Sequence, residues 1–210
     1  MAEAGVVAPD PNGQFSKEQW QQWLAQEQWR GGKHPEKTAE IIHQIVQGID
    51  FVEQKVRAAG FSKFVRPPLV IVKEPPKDGS LVPKFASYWP RPNAVALTPE
   101  KLHEYADYDF DEIVHSGGRG EVSMSATVPN QSFLAGVEEC HHAVHRQQQG
   151  ILPIPSNIRS LSGAEYDALD HEFEALGFQV LVAKEFGFPE VTKQVLIRRW
   201  QIANALRQQQ

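Results

Sequence analysis

The stretch Gly136-Val137-Glu138-Glu139-Cys140-His141-His142-Ala143-Val144-His145 places three histidines within five residues. On a helix, His141 and His145 stand one turn apart on one face with their imidazoles converging, which makes half of a metal site. Zinc takes nitrogen, sulfur and carboxylate oxygen in a tetrahedral shell, and a catalytic zinc keeps three protein ligands and a water. A third ligand is therefore required. The downstream segment Tyr166 to Phe178 offers Asp170, Glu172 and Glu174. A cluster of solvated or core-edge histidines that binds nothing is the competing account, and these residues alone leave both open.

Positioning such groups takes two helices. The first is expected from Ser132 to Gln149: Ser132 suits an N-cap, no proline interrupts Phe133 to Gln149, and Gly150 with Pro153 and Pro155 ends the run. The second follows a Ser162-x-x-Glu165 capping box. Around them, Pro35 to Ala59 reads as a long amphipathic helix through Ile41, Ile42, Ile45, Ile49 and Val52, with Gly48 marking a kink or a close contact. Pro189 to Arg207 reads as a packing helix. Leu69 to Val72 is the clearest strand, with a turn at 75–79. Lys84 to Trp89 and Asn93 to Leu97 form a hairpin around Pro90-Arg91-Pro92.

The order of a two-histidine helix followed by a carboxylate-bearing helix resembles the zincin metallopeptidases, in particular the gluzincin group. The string Glu172-Phe173-Glu174-Ala175-x-x-Phe178 is similar to the one that carries the glutamate ligand in ImmA/IrrE-type and prenyl-protease-like metallopeptidases. The resemblance implies zinc held by His141, His145 and Glu172, with Glu174 the alternative third ligand. It implies an α+β, zincin-like fold: a small mixed sheet with an edge hairpin packed on the active-site helix, plus further helices. That hairpin would offer an edge to a substrate peptide, which pairs through its backbone.

Two departures from the family pattern carry consequences. Leu176 stands where an Asp or Asn is expected. His142 stands where the His-Glu-x-x-His motif has its general base, a carboxylate that takes the proton from metal-bound water. Replacements for that base are Glu138, three residues before His141 and one turn back, and His142 itself. Glu138 serves equally as a hydrogen-bond partner for His142 or for a ligand histidine. Tyr105, Tyr108 and His171 are the candidates to steady an oxyanion. The expected function is a metallopeptidase homologue with an altered base; its rival is a non-catalytic module that binds a peptide or protein.

Composition narrows the class. A net charge of −5 with dispersed Lys and Arg argues against nucleic acid and anionic membranes as partners. One cysteine makes no internal disulfide, no basic-then-apolar leader opens the chain, and no apolar run reaches bilayer length, so the expected setting is cytoplasmic. The expected organisation is a lead-in with a Trp-rich helix (Ser16 to Arg30) over residues 1–33, then one metal-binding domain over 34–210. A short helix is expected from Thr98 to Tyr105. The acidic, aromatic 105–111 is read as a solvated loop rather than a calcium site. Gly117 to Gly120 reads as a turn before a strand at 121–128, and 150–160 as a loop rimming the cleft.

Overall fold

A computed structural model describes residues 6–7, 35–72, 86–89, 93–98, 102, 130–150 and 161–209. The expected Trp-rich helix, the turns at 75–79, 90–92 and 117–120, the strand at 121–128, the acidic loop with Tyr105 and Tyr108, and the loop at 151–160 lie outside the described residues. The fold is α+β and mostly helical. Among the described residues, no helix is long and apolar enough to cross a membrane.

Helix α1 (Pro35–Ala58) forms where the sequence predicts it. Pro35 opens it with a preset φ, Glu36 faces the positive end of the helix dipole, and Lys55 and Arg57 face the negative end. Ala39, Ile42, Ile45, Ile49 and Val52 recur every three or four residues and are all fully buried. Gly60, at φ 93°, ends the run in a conformation that suits glycine.

The sheet is small and mixed. Strand β1 (Val6–Val7) pairs antiparallel with β2 (Leu69–Val72), which pairs parallel with β4 (Ala94–Leu97), which pairs antiparallel with β3 (Ala86–Trp89). Asn93 at φ 64° turns the chain into β4, and its side chain accepts the Tyr88 hydroxyl at 2.7 Å. Every residue of β4 is buried, as befits a strand paired on both sides.

Helix α2 (Gln131–Gln149) begins one residue before the expected Ser132. The cap is Asn130 at φ 65°, a left-handed geometry that asparagine tolerates, whereas Ser132 is inside the first turn and buried. Gly48 marks a close contact rather than a kink. A Cβ on Gly48 would stand 2.2 Å from the Phe133 carbonyl oxygen, and one on Gly136 would stand 2.0 Å from that of Ile45. The two glycines thus let α1 and α2 cross backbone against backbone.

The capping box forms, but the helix it opens stops at Asp167, and the expected carboxylate-bearing helix starts afresh at Asp170. Ser162 Oγ accepts from the Glu165 backbone N–H at 3.3 Å, and Glu165 accepts the Ser162 backbone N–H at 2.7 Å, opening the short α3 (Gly163–Asp167). Helices α4 (Asp170–Glu185) and α5 (Glu190–Arg207) complete the chain, with Pro189 at the α5 cap. The apolar core gathers residues of α1, α2, the sheet, α4 and α5; α4 packs on α2, and α5 packs on α3 and α4.

Candidate metal centre

Helix α2 is divided along its length. Leu134, Val137, Cys140, Ala143 and Val144 enter the apolar core, while Glu138, His142 and His145 meet polar groups of α4. Helix α4 answers with a buried stripe of Glu172, Ala175, Leu176, Gln179, Val182 and Ala183. Two polar residues, Glu172 and Gln179, stand two turns apart in that otherwise apolar stripe. A polar group inside an apolar face costs stability unless it is partnered, so each must meet a complement on α2.

Gln179 does so by donating to the Leu134 carbonyl at 3.0 Å and to Glu138 Oε2 at 2.9 Å. Glu172, 6% exposed, lies between two imidazoles: its Oε2 is 3.4 Å from His142 Nε2 and its Oε1 is 3.5 Å from His171 Nε2. The His142 and His171 rings meet edge to face at 5.5 Å. One ligand atom from each of Glu138, His142 and Glu172 lies within 4.8 Å of the other two. Among the described residues, this is the group whose donors converge.

The spacing has chemical meaning. A charge-assisted N–H to carboxylate bond has its optimum near ~2.8 Å, so the 3.4 Å from His142 to Glu172 is long for one. Two ligands at about 2.05 Å from a tetrahedral metal are about 3.4 Å apart. Closing the widest allowed pair, 4.8 Å, onto a metal requires side-chain movement on the order of 1 Å.

The structure distributes the expected residues differently from the resemblance. His142 and Glu138, expected to handle protons, are grouped with Glu172, the expected ligand. His141 and His145 are not in that group. His141 packs its ring 5.3 Å from that of Phe178, and His145 Nε2 lies 3.2 Å from Glu174 Oε2. Glu172 and Glu174 were expected to exclude one another, since residues two apart on a helix face different ways. Both reach histidines, because the half-exposed Glu174 extends from the flank of α4 to His145. His171, expected near an oxyanion, contacts Glu172. Cys140 is fully buried in the apolar core, where burial pushes its thiol far up and disfavours the thiolate a metal requires.

Charge divides the adjacent histidines. Burial, with the charges of His142 and His145 adding to it, lowers His141 to about 4, so it is neutral at physiological pH. Burial also works against the charged form of His142. Contact with Glu172, together with the charges of Glu172, Glu139 and Glu138, outweighs it and raises His142 to about 9.

Further partners fix the frame. Arg199 on α5 grips Asp167 with two bonds, of 2.9 and 2.7 Å, and Arg207 holds Asp170 and the Ala168 carbonyl, so α5 anchors the start of α4. Glu139 Oε2 accepts the backbone N–H of Tyr88, which ties α2 to the outer edge of β3. The sequence reading missed Gln179, Asp167 and Arg199. Gln179 had a signal, as a polar residue seven after Glu172 on an apolar face; Asp167 and Arg199 are 32 residues apart and had none.

No protein-family profile, no curated protein and no solved structure matches the chain. Function must therefore be argued from the site.

Proposed function

We propose that this chain is a zincin-like protein that binds a divalent metal between α2 and α4 and holds a peptide or protein ligand without cleaving it. The observation that carries the metal is the convergence of Glu138, His142 and Glu172 from two helices to within 4.8 Å of one another, with His142 and Glu172 at the 3.4 Å that suits two ligands of one tetrahedral ion. One imidazole and two carboxylates suit zinc and also manganese or iron(II); zinc is the metal we propose. When bound, zinc would supply a Lewis acid and rigid cross-linking of α2 to α4. The site residues themselves would hold and orient it, with Gln179 fixing one oxygen of Glu138.

The zincin likeness is supported by a mixed sheet whose hairpin packs on the histidine-bearing helix and by Glu172 on the following long helix. The non-catalytic half rests on the engagement of the would-be bases. His142 replaces the family glutamate and is committed to Glu172, and Glu138 is grouped with the ligands. A general base must have a lone pair within reach of the water it activates, and neither residue has that role in this grouping. Glu139 also occupies the Tyr88 N–H on the hairpin edge where a substrate strand would pair, so ligand recognition must use other parts of the surface.

Zinc titration of the untagged chain tests the metal. His142→Ala and Glu172→Ala should each remove the tightest equivalent, and His141→Ala should leave it. Loss with His141→Ala but not with His142→Ala would restore the ligand set of the resemblance. Peptide hydrolysis tests the other half. The wild-type chain and His142→Glu, which restores the family motif, should both be inert, and cleavage by a zinc-loaded preparation of either would overturn a purely binding role.

A further inference from the structure

Helix α5 reaches the stretch just before Glu172 with two arginines. Arg199 donates from Nε and Nη2 to the two oxygens of Asp167, at 2.9 and 2.7 Å, and Arg207 holds Asp170 together with the Ala168 carbonyl. Asp167 is the buried last residue of α3, a few positions ahead of Glu172 in the chain. Burial works against the charge of Arg199, but the bonds to Asp167 and the charges of Asp167, Glu138 and Glu172 outweigh it and hold the guanidinium's proton more firmly than in an ordinary arginine. A cation thus stands within electrostatic reach of both proposed carboxylate ligands, with its planar fork committed to a third carboxylate.

We propose that Asp167 is a positioning residue for the metal: by holding the Arg199 fork it keeps that cation from pairing with Glu138 or Glu172 and leaves both carboxylates to the ion. This rests on the metal reading above and adds to it the group that keeps the ligands available. A divalent ion beside two carboxylates and a neutral imidazole is balanced in charge. A guanidinium released into that neighbourhood would repel the ion and offer the carboxylates a competing, bidentate partner. Asp167 and Arg199 therefore act on the site with opposite sign, although they form one ion pair. Their mechanical contribution is duplicated, because with Arg199 replaced Arg207 still joins α5 to the start of α4.

Calorimetric zinc titration of the full, untagged chain and its variants reads that sign. Asp167→Ala should weaken zinc binding by about 10-fold or more, the scale of losing a supporting partner. Arg199→Met, which removes the competing cation, should bind zinc as tightly as the unsubstituted chain or more tightly. The double variant Asp167→Ala/Arg199→Met should return to within about 2-fold of the unsubstituted chain, a non-additive result that requires the two residues to interact. An ion pair that only fastened α5 to α4 would weaken binding alike in both single variants and no less in the double, and that pattern would overturn the proposal. Unchanged affinity in Asp167→Ala would overturn it too. Apolar replacement of both members leaves no buried charge unpaired, so the double variant decides the matter even where a single one fails to fold, and a loss of about 10-fold there counts against the proposal. No zinc binding by the unsubstituted chain would overturn both this and the metal reading.

Discussion

Helix α2 is pressed between two partners that hold it by opposite means. Against α1 it offers Gly136, Val137, Cys140 and Val144, and the two backbones touch with no side chain between them at Gly48 and Gly136. Against α4 it offers Glu138, His142 and His145; beside the two hydrogen bonds of Gln179 and the His141–Phe178 ring contact, imidazoles meet carboxylates there, and His142 stands 3.4 Å from Glu172, too far for a strong hydrogen bond. The first interface is already close-packed. The second is spaced as if for another atom. A protein interior tolerates partnered polar groups, but it gains little from them relative to apolar residues of the same size. A polar layer between two helices is thus a poor way to build stability and a good way to hold a ligand.

If that division is right, the α1–α2 contact should fail under the smallest added volume. Gly136→Ala puts a Cβ 2.0 Å from a main-chain oxygen that has no rotamer to escape into. The helices must separate, at about 3 kcal/mol or more despite alanine's better helix propensity. Gly163→Ala, where nothing lies within 4 Å of the added carbon, is the matched control and should be close to neutral. Thermal or urea unfolding of the pair reads the difference directly.

The next largest effect belongs to the α2–α4 contact and should appear in metal affinity. Glu172→Ala removes a proposed ligand and should weaken binding by more than about 100-fold, beyond the usual cost of losing a supporting partner. Calorimetric titration measures it. Gln179→Ala, which frees one oxygen of Glu138 without removing a donor, should cost roughly 10-fold.

A smaller effect separates the two adjacent histidines by pH in metal-free protein. His142 is raised to about 9 from an unfolded value near ~6.5, so its contribution is complete below ~6.5 and is lost as pH rises through 9. His141 is lowered to about 4, so its contribution is present above ~6.5 and is lost as pH falls through 4. Stability from this pair should therefore peak near pH ~6.5. In His142→Ala the alkaline decline should flatten while the acid limb persists, as melting temperatures across pH would record. Least of all should be Glu174→Ala in metal-free protein: its carboxylate is about half exposed, and such pairs contribute ~1 kcal/mol or less.

The contrast also explains what could be read from the chain. Helix α1 was legible because Ile42, Ile45, Ile49 and Val52 repeat locally at the helical period, and the start of α3, though not its early end, because Ser162 and Glu165 satisfy one another across three residues. The cap of α2 was misplaced by two positions because Ser132 has the side chain of a cap, whereas Asn130 has the left-handed backbone that performs the turn. The choice between neighbouring histidines was not legible. His141 and His142 differ by about 100° around the helix, and which one faces Glu172 depends on how α2 is rotated about its axis. That rotation is set where Gly136 meets Ile45, 91 positions away, and where Gln179 meets Leu134, 45 away. Spacing within the motif carries no record of either contact.

The central claim is the location of the metal, and anomalous diffraction at the zinc absorption edge from zinc-loaded crystals tests it most directly. A peak bonded to His142 and Glu172, with Glu138 drawn in beside them, is the predicted result. A peak held by His141 and His145, or none between α2 and α4, would contradict it.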